Sequence, residues 1–282
     1  MFPCSHFAHI MFQGEQPCQV ADEMIVLVGA SDDATEELIR SIGSPKIKVH
    51  FSVWNTALQS GGVVLAEETN KAFQLIDPAS DWAFYIQADE VVHEKYHDAI
   101  REGCSKYKDD KRVQGLLFKY VHFYGTYNYA GDSRRWYSHE VRVIRNDKSI
   151  SAYRDAQGFR VGNTKLKVKA INAFIYHYGW VKSPQQMKRK MKDAIGYWVA
   201  DKEEWEKFIR SEDVFNFEEF DSIKLFKGTH PKVMEKRIRE QNWNVELDVK
   251  KKHFSLKDWL MYLFEKATGL RPFEFKNYTL LK

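Results

Sequence analysis

Three short apolar runs, each followed by an amphipathic stretch, constrain this chain more than any other feature. "MIVLV" covers Met24 to Val28, "KIKVHF" covers Lys46 to Phe51, and "DWAFYIQ" covers Asp81 to Gln87. Runs this short read as strands, and the unalternating first one is typical of a strand covered on both faces. After the first, Asp33 and Glu36 have capping-box spacing, Leu38 and Ile42 lie four apart, and Gly43 suits a helix end. Gly61 and Gly62 open a second helix that Asp77-Pro78 ends, and His93 to Lys106 reads as a third. Strand and helix alternating three times predict an α/β fold on a mostly parallel sheet.

The texture changes at Gly115. "GLLFKYVHFYGTYNYAGDSRRWYSHEVRVIRND" reads as strands joined by an aromatic loop, and "KLKVKAINAFIYHYGW" as further strand ending at His177. Beyond Ser183 the chain is charged and helical, with a last amphipathic helix opened by Ser255 and closed by Gly269. The expected division is an atypical segment 1–20, an α/β domain 21–182 and a helical C-terminal extension 183–282.

Composition narrows the classes. With 44% hydrophobic and 29% charged residues the chain is neither disordered nor membrane-spanning in type. A net charge of +4 is too mild to argue for nucleic acid. An aromatic content of 15% suits surfaces that recognise sugars or bases as well as cores. Cys4, Cys18 and Cys104 lack zinc spacing and leave one thiol over in any disulfide scheme, which favours a reducing compartment. No run approaches the ~20 apolar residues of a membrane span, and no basic-then-apolar leader is present, so the expectation is cytoplasmic.

Ligands of parallel sheets gather at the C-terminal ends of the strands. Two acidic pairs fall there: Asp32-Asp33 and Asp89-Glu90. Adjacent carboxylates repel unless a cation, a proton or solvent relieves them, and Mg2+ or Mn2+ would share such a site with substrate phosphates. A solvated turn accounts for Asp89 and Glu90 as well, and helix capping for Asp32 and Asp33. His177 is either a satisfied core histidine or a ligand. Arg134, Arg135, Arg142 and Arg145 are either exposed charge or a phosphate grip. Asp132, Glu140 and Asp155 are competing carboxylates for proton transfer, none singled out by spacing.

"EMIVLVGASDDATEELI", followed after a second strand and helix by "DWAFYIQADE", resembles the nucleotide-binding half of family 2 glycosyltransferases. "RRWYSHEVRVIRN" and "AFIYHYGW" are similar to the Arg-rich strand and late histidine of its bacterial members. The likeness runs from about Ala21 to His177. It implies a GT-A-like, Rossmann-type three-layer sandwich and transfer of a sugar from a nucleotide-diphosphate donor to a hydroxyl acceptor in cell-surface glycan synthesis. It further implies Mn2+ or Mg2+ at Asp89, Glu90 and His177, with nucleotide-sugar contacts from Asp32, Asp33, Gln87, Arg135 and Arg142. An inverting hexosyl transfer needs a base, for which Asp155 or Asp132 is placed. The acceptor is a glycan or a lipid-linked glycan. Two departures stand out: Gln87 occupies the first acidic position of the family's Asp-x-Asp motif, and residues 1–20 do not resemble its first strand. The rival readings are a nucleotidyltransferase and a catalytically impaired, binding-only remnant. The basic, amphipathic last helix packs on the domain or, in a secondary reading, touches anionic lipid peripherally.

Overall fold

Val168, Leu166, Ala173 and Ile175 have no exposed surface, and all four lie on one strand of seventeen residues, β10 (Thr164–Trp180). That strand is the spine of the molecule. Its parallel neighbour is the ten-residue β5 (Gly115–Tyr124), paired from Val168↔Gly115 to Trp180↔Tyr124. The structure is a computed structural model that describes residues 20–29, 34–55, 62–198 and 214–282.

The first third follows the expected rhythm: β1 (Met24–Gly29), α1 (Thr35–Ser41), β2 (Ile47–Ser52), α2 (Val63–Gln74) and β3 (Trp82–Phe84). Then come β4 (Glu90–Val92) and α3 (His97–Tyr107). β1 is buried along its whole length and pairs in parallel with β2, as its unalternating run requires.

The sheet arrangement overturns the expected fold class. β1 and β2 form a separate two-stranded sheet, and the other ten strands make a strongly curled, mostly antiparallel sheet instead of a parallel Rossmann-type sandwich. β3 enters it antiparallel to β7 (His139–Arg145), which is antiparallel to β5. β6 (Thr126–Gly131) takes the other end of the same β5 edge, with β11 (Ile223–Leu225) outside it. A hairpin of β8 (Ile150–Tyr153) and β9 (Gly158–Val161) joins the start of β10. Among the described strands, only β5 and β12 (Tyr278–Leu280) run parallel to β10. A cavity of about 420 Å3 separates β1 from β3, lined by Ile25, Phe73, Trp82, Ala83 and Phe159 among others. Periodicity reports which residues are buried, not which edges pair, so it could not reveal this split.

The C-terminal region also departs from a purely helical extension. α4 (Pro184–Trp198) and a helix at Leu256–Thr268 are present, but β11 and β12 return to the large sheet. Ser255 caps the last helix by accepting from the Asp258 N–H, and Gly269 closes it at φ +71°, as the sequence predicts.

Candidate functional site

β10 runs between β4 and the C-terminal half of β5, with His177 in register with Glu90 on one side and His122 on the other. Paired residues on adjacent strands point to the same face, so this sheet face collects Glu90, His177, His122 and, two residues along β5, Tyr120. The acidic pair predicted from the sequence then divides into two different environments.

Glu90 points inward and has no exposed surface. Arg142 Nε and Nη2 donate to its two oxygens at 3.1 and 2.7 Å, Tyr120 Oη donates at 2.7 Å, and the Gln87 N–H donates at 3.1 Å. Arg142 is equally buried and lies over the rings of Tyr85 and Tyr120 at 5.1 and 5.3 Å. Four donors occupy this carboxylate. Glu90 and Arg142 therefore brace β4 to β5 and β7, which is a different employment from the metal and diphosphate contacts expected of them. The Gln87 amide nitrogen donates to the Tyr85 hydroxyl at 3.1 Å and holds the same brace.

Asp89 turns the other way, with 34% of its side chain exposed. Lys190 of α4 donates to its Oδ2 at 3.0 Å, and His177 Nε2 lies 3.6 Å from the same oxygen. Burial works to raise the Asp89 pKa, but Lys190 and His177 outweigh it and hold the carboxyl well below its usual range. Lys182 lies nearby, and burial followed by repulsion from Lys190 brings its ammonium down to about 8. One carboxylate thus sits in a basin of lysine and imidazole nitrogen.

The histidine pair fixes its own protons. His122 Nε2 faces the Tyr137 carbonyl at 2.9 Å, and a carbonyl only accepts, so that nitrogen carries hydrogen. Burial and then His177 hold the His122 pKa well below normal, so the ring is neutral and its Nδ1 accepts. His177 Nδ1, 3.0 Å away, must donate to it. His177 Nε2 then faces the Asp89 carboxylate: a protonated ring donates to it, and a neutral ring leaves a carboxylate oxygen and an imidazole nitrogen that a cation would bridge. Gly179 keeps the gap open: a Cβ there would lie 2.5 Å from Asp89 Oδ2 and 2.6 Å from His177 Nε2. The residues fit a divalent ion held by one carboxylate and one imidazole, with substrate oxygens completing its shell. Among the described residues, no group of three or more His, Cys, Asp or Glu is arranged to hold a metal alone.

Aromatic rings wall the basin. Trp136 stacks on His122 at 5.2 Å, Tyr137 meets it edge-on at 4.3 Å, and Trp180 and Tyr124 continue the wall behind Trp136. Glu140 stands two residues from Arg142 on β7; burial pushes its carboxyl up to about 8, with Glu90 and Asp155 adding repulsion. Asp155 is buried in the β8–β9 turn, its Oδ1 has no hydrogen-bond partner, and burial raises its pKa.

Other expected site residues lie elsewhere. Asp132 accepts from Tyr262 at 2.7 Å and Lys266 at 2.8 Å, with its pKa lowered despite burial, so it anchors the last helix. Arg135 is 66% exposed and 3.5 Å from Asp221. Arg145 donates to the carbonyls of Tyr107, Lys108, Asp110 and Val113 and closes the end of α3. Asp32, Asp33, Cys4 and Cys18 lie outside the described residues. His122, Lys190, Lys182 and Gly179 escaped the sequence reading. His122 alternates with buried residues on an apolar strand and so reads as core, while Lys190 is one of several lysines on α4. No helix among the described residues is long and apolar enough to cross a membrane. No family model and no curated protein matches this chain.

Proposed function

We propose that the Asp89 basin binds the diphosphate of a nucleotide sugar and that the protein transfers the sugar to a hydroxyl acceptor. The observation that carries this reading is the half-exposed Asp89 carboxylate, 3.6 Å from His177 Nε2 across a gap kept open by Gly179, with Lys190 donating to it and Lys182 nearby. A diphosphate needs positive charge, and a shared divalent ion needs a few oxygen or nitrogen donors with room for phosphate oxygens. Asp89 and His177 would hold Mn2+ or Mg2+ there, and the ion would neutralise charge on the departing diphosphate. Lys190 and Lys182 add to that neutralisation directly.

In the transfer, the acceptor oxygen bonds to the anomeric carbon as the bond from that carbon to the phosphate oxygen breaks, and the diphosphate leaves with the electron pair. The acceptor's proton passes to a carboxylate. Glu140, with Asp155 as its neighbour, suits this role because a base works best with a pKa near the working pH. Asp132 is engaged by Tyr262 and Lys266 and does not. Trp136 and Tyr137 would line the sugar or acceptor path.

The test is calorimetry with uridine and guanosine diphosphates, with and without Mn2+, on the full chain and on Asp89→Asn. Metal-enhanced binding that Asp89→Asn weakens at least about tenfold is expected, since a coordinating charge is lost. No nucleotide binding under any condition, or unchanged affinity in the variant, overturns the reading. A donor screen then separates the chemistry: sugar transfer releases nucleoside diphosphate, whereas nucleotidyl transfer releases pyrophosphate.

A further inference from the structure

The last helix presents its apolar side to solvent. Leu256, Trp259, Leu260, Leu263 and Phe264 recur at the three-and-four spacing of one helix face, yet each is between 38% and 79% exposed. The polar face is the one that meets the body. Tyr262 and Lys266 donate to Asp132, and Glu265 pairs with Arg134 at 3.5 Å and Arg271 at 3.2 Å. These contacts fix the rotation of the helix and leave its hydrophobic stripe outward.

The chain beyond continues that surface. Leu270, Phe273 and Phe275 are 63%, 94% and 72% exposed. Phe273 holds φ at +60°, a left-handed conformation that is sterically costly for a bulky side chain. Burial gives no return for that strain, because the ring stands in solvent. Basic residues surround the surface, outnumbering acidic ones seven to three from Lys250 to Lys276. Two of the three acids, Glu265 and Glu274, are already paired with Arg271. Lys250, Lys251, Lys257 and Lys276 are exposed.

We infer that this face rests on an anionic phospholipid surface, its leucines and aromatic rings entering the boundary between headgroups and acyl chains. The lysines around it would meet the lipid phosphates. Charge decides between a bilayer and a second copy of the chain. A two-fold contact sets the same patch against itself, so it would oppose two basic fringes, whereas anionic lipid neutralises one. The helix is held by Asp132 and Arg134, on the loop that carries Trp136 and Tyr137, so the bilayer would lie beside the aromatic wall of the basin. That a lipid-linked acceptor enters there rests on the transferase reading; the lipid contact itself does not.

The full chain is co-sedimented with vesicles of phosphatidylcholine alone and of phosphatidylcholine mixed with phosphatidylglycerol. Binding about tenfold stronger to the anionic vesicles is expected, weakened at ~0.5 M salt. The double variant L260E/L263E should lose that binding, and K250E/K251E/K257E should lose its dependence on anionic lipid. Both change exposed side chains, so thermal melts should match the parent, and nucleotide diphosphate binding should be unaffected in both. Equal binding to the two compositions, or anionic binding retained by L260E/L263E, overturns the inference. A dimer in sedimentation velocity that L260E/L263E dissociates, without vesicle binding by the parent, assigns the face to a second copy instead.

Discussion

Gly179 has the most local consequence of any residue in the basin. Its missing Cβ leaves the space in which Asp89 and His177 approach one another. Gly179→Ala should weaken metal-dependent nucleotide diphosphate binding at least about tenfold with little change in fold, as read by calorimetry and circular dichroism. Glu90 and Arg142 behave differently. Arg142→Met leaves a fully buried carboxylate without its counter-charge, a loss of about 3–5 kcal/mol that urea unfolding would read as a lower midpoint. Glu140 adds a pH signature. Its folded pKa, about 8, lies above the ordinary 4.5, so the folded state keeps a proton that the unfolded chain has released. Its contribution to stability is complete below about pH 4.5 and is lost as pH rises toward 8. The proposed sugar transfer needs the opposite form, so that activity should rise with pH through that value, and Glu140→Gln should remove both the rise and most of the rate.

At the scale of elements, the last helix was the most legible part of the chain. Ser255 and Gly269 mark its ends in the sequence and cap it in the structure. Ser255→Ala should cost about 1 kcal/mol, measurable as a lower melting temperature. Its periodicity was equally plain, but the face it buries was not. A hydrophobic stripe normally seeks the core, and only Asp132, Arg134 and Arg271 reveal that the opposite face is docked. The runs at β1, β2 and β3 were visible as well: β1, covered on both faces, shows as continuous apolar sequence, and β2, half-exposed, as alternation. The last of them is shorter than its run suggests, since Tyr85 to Glu90 turns to set the acidic pair against β10.

The whole molecule divides into the β1–β2 pair and the large curled sheet, with the β10–β5 pairing at the centre of the latter. Phe118, Phe123, Leu116 and Ile175 are wholly buried on those two strands, and each contributes about 1.5–3 kcal/mol by leaving water. Amide exchange should follow this division. Protons of β5 and β10 should exchange only by global opening, and those of β2, whose residues are largely half-exposed, should exchange sooner. Uniform protection across β2 and β10, measured by mass spectrometry, would contradict it.

By itself the sequence determined the local conformations whose signals are carried by neighbouring residues: buried runs, helix caps, and an acidic pair at a strand end. Tertiary structure decided which edges pair, so a parallel sandwich became a mostly antiparallel sheet with a separate pair of strands. It also sent Asp89 outward and Glu90 inward, and brought His122, His177 and Lys190 to Asp89 from three distant elements. Backbone hydrogen bonds carry no side-chain signature, and charges distant in the chain interact only after folding brings them within a few ångströms.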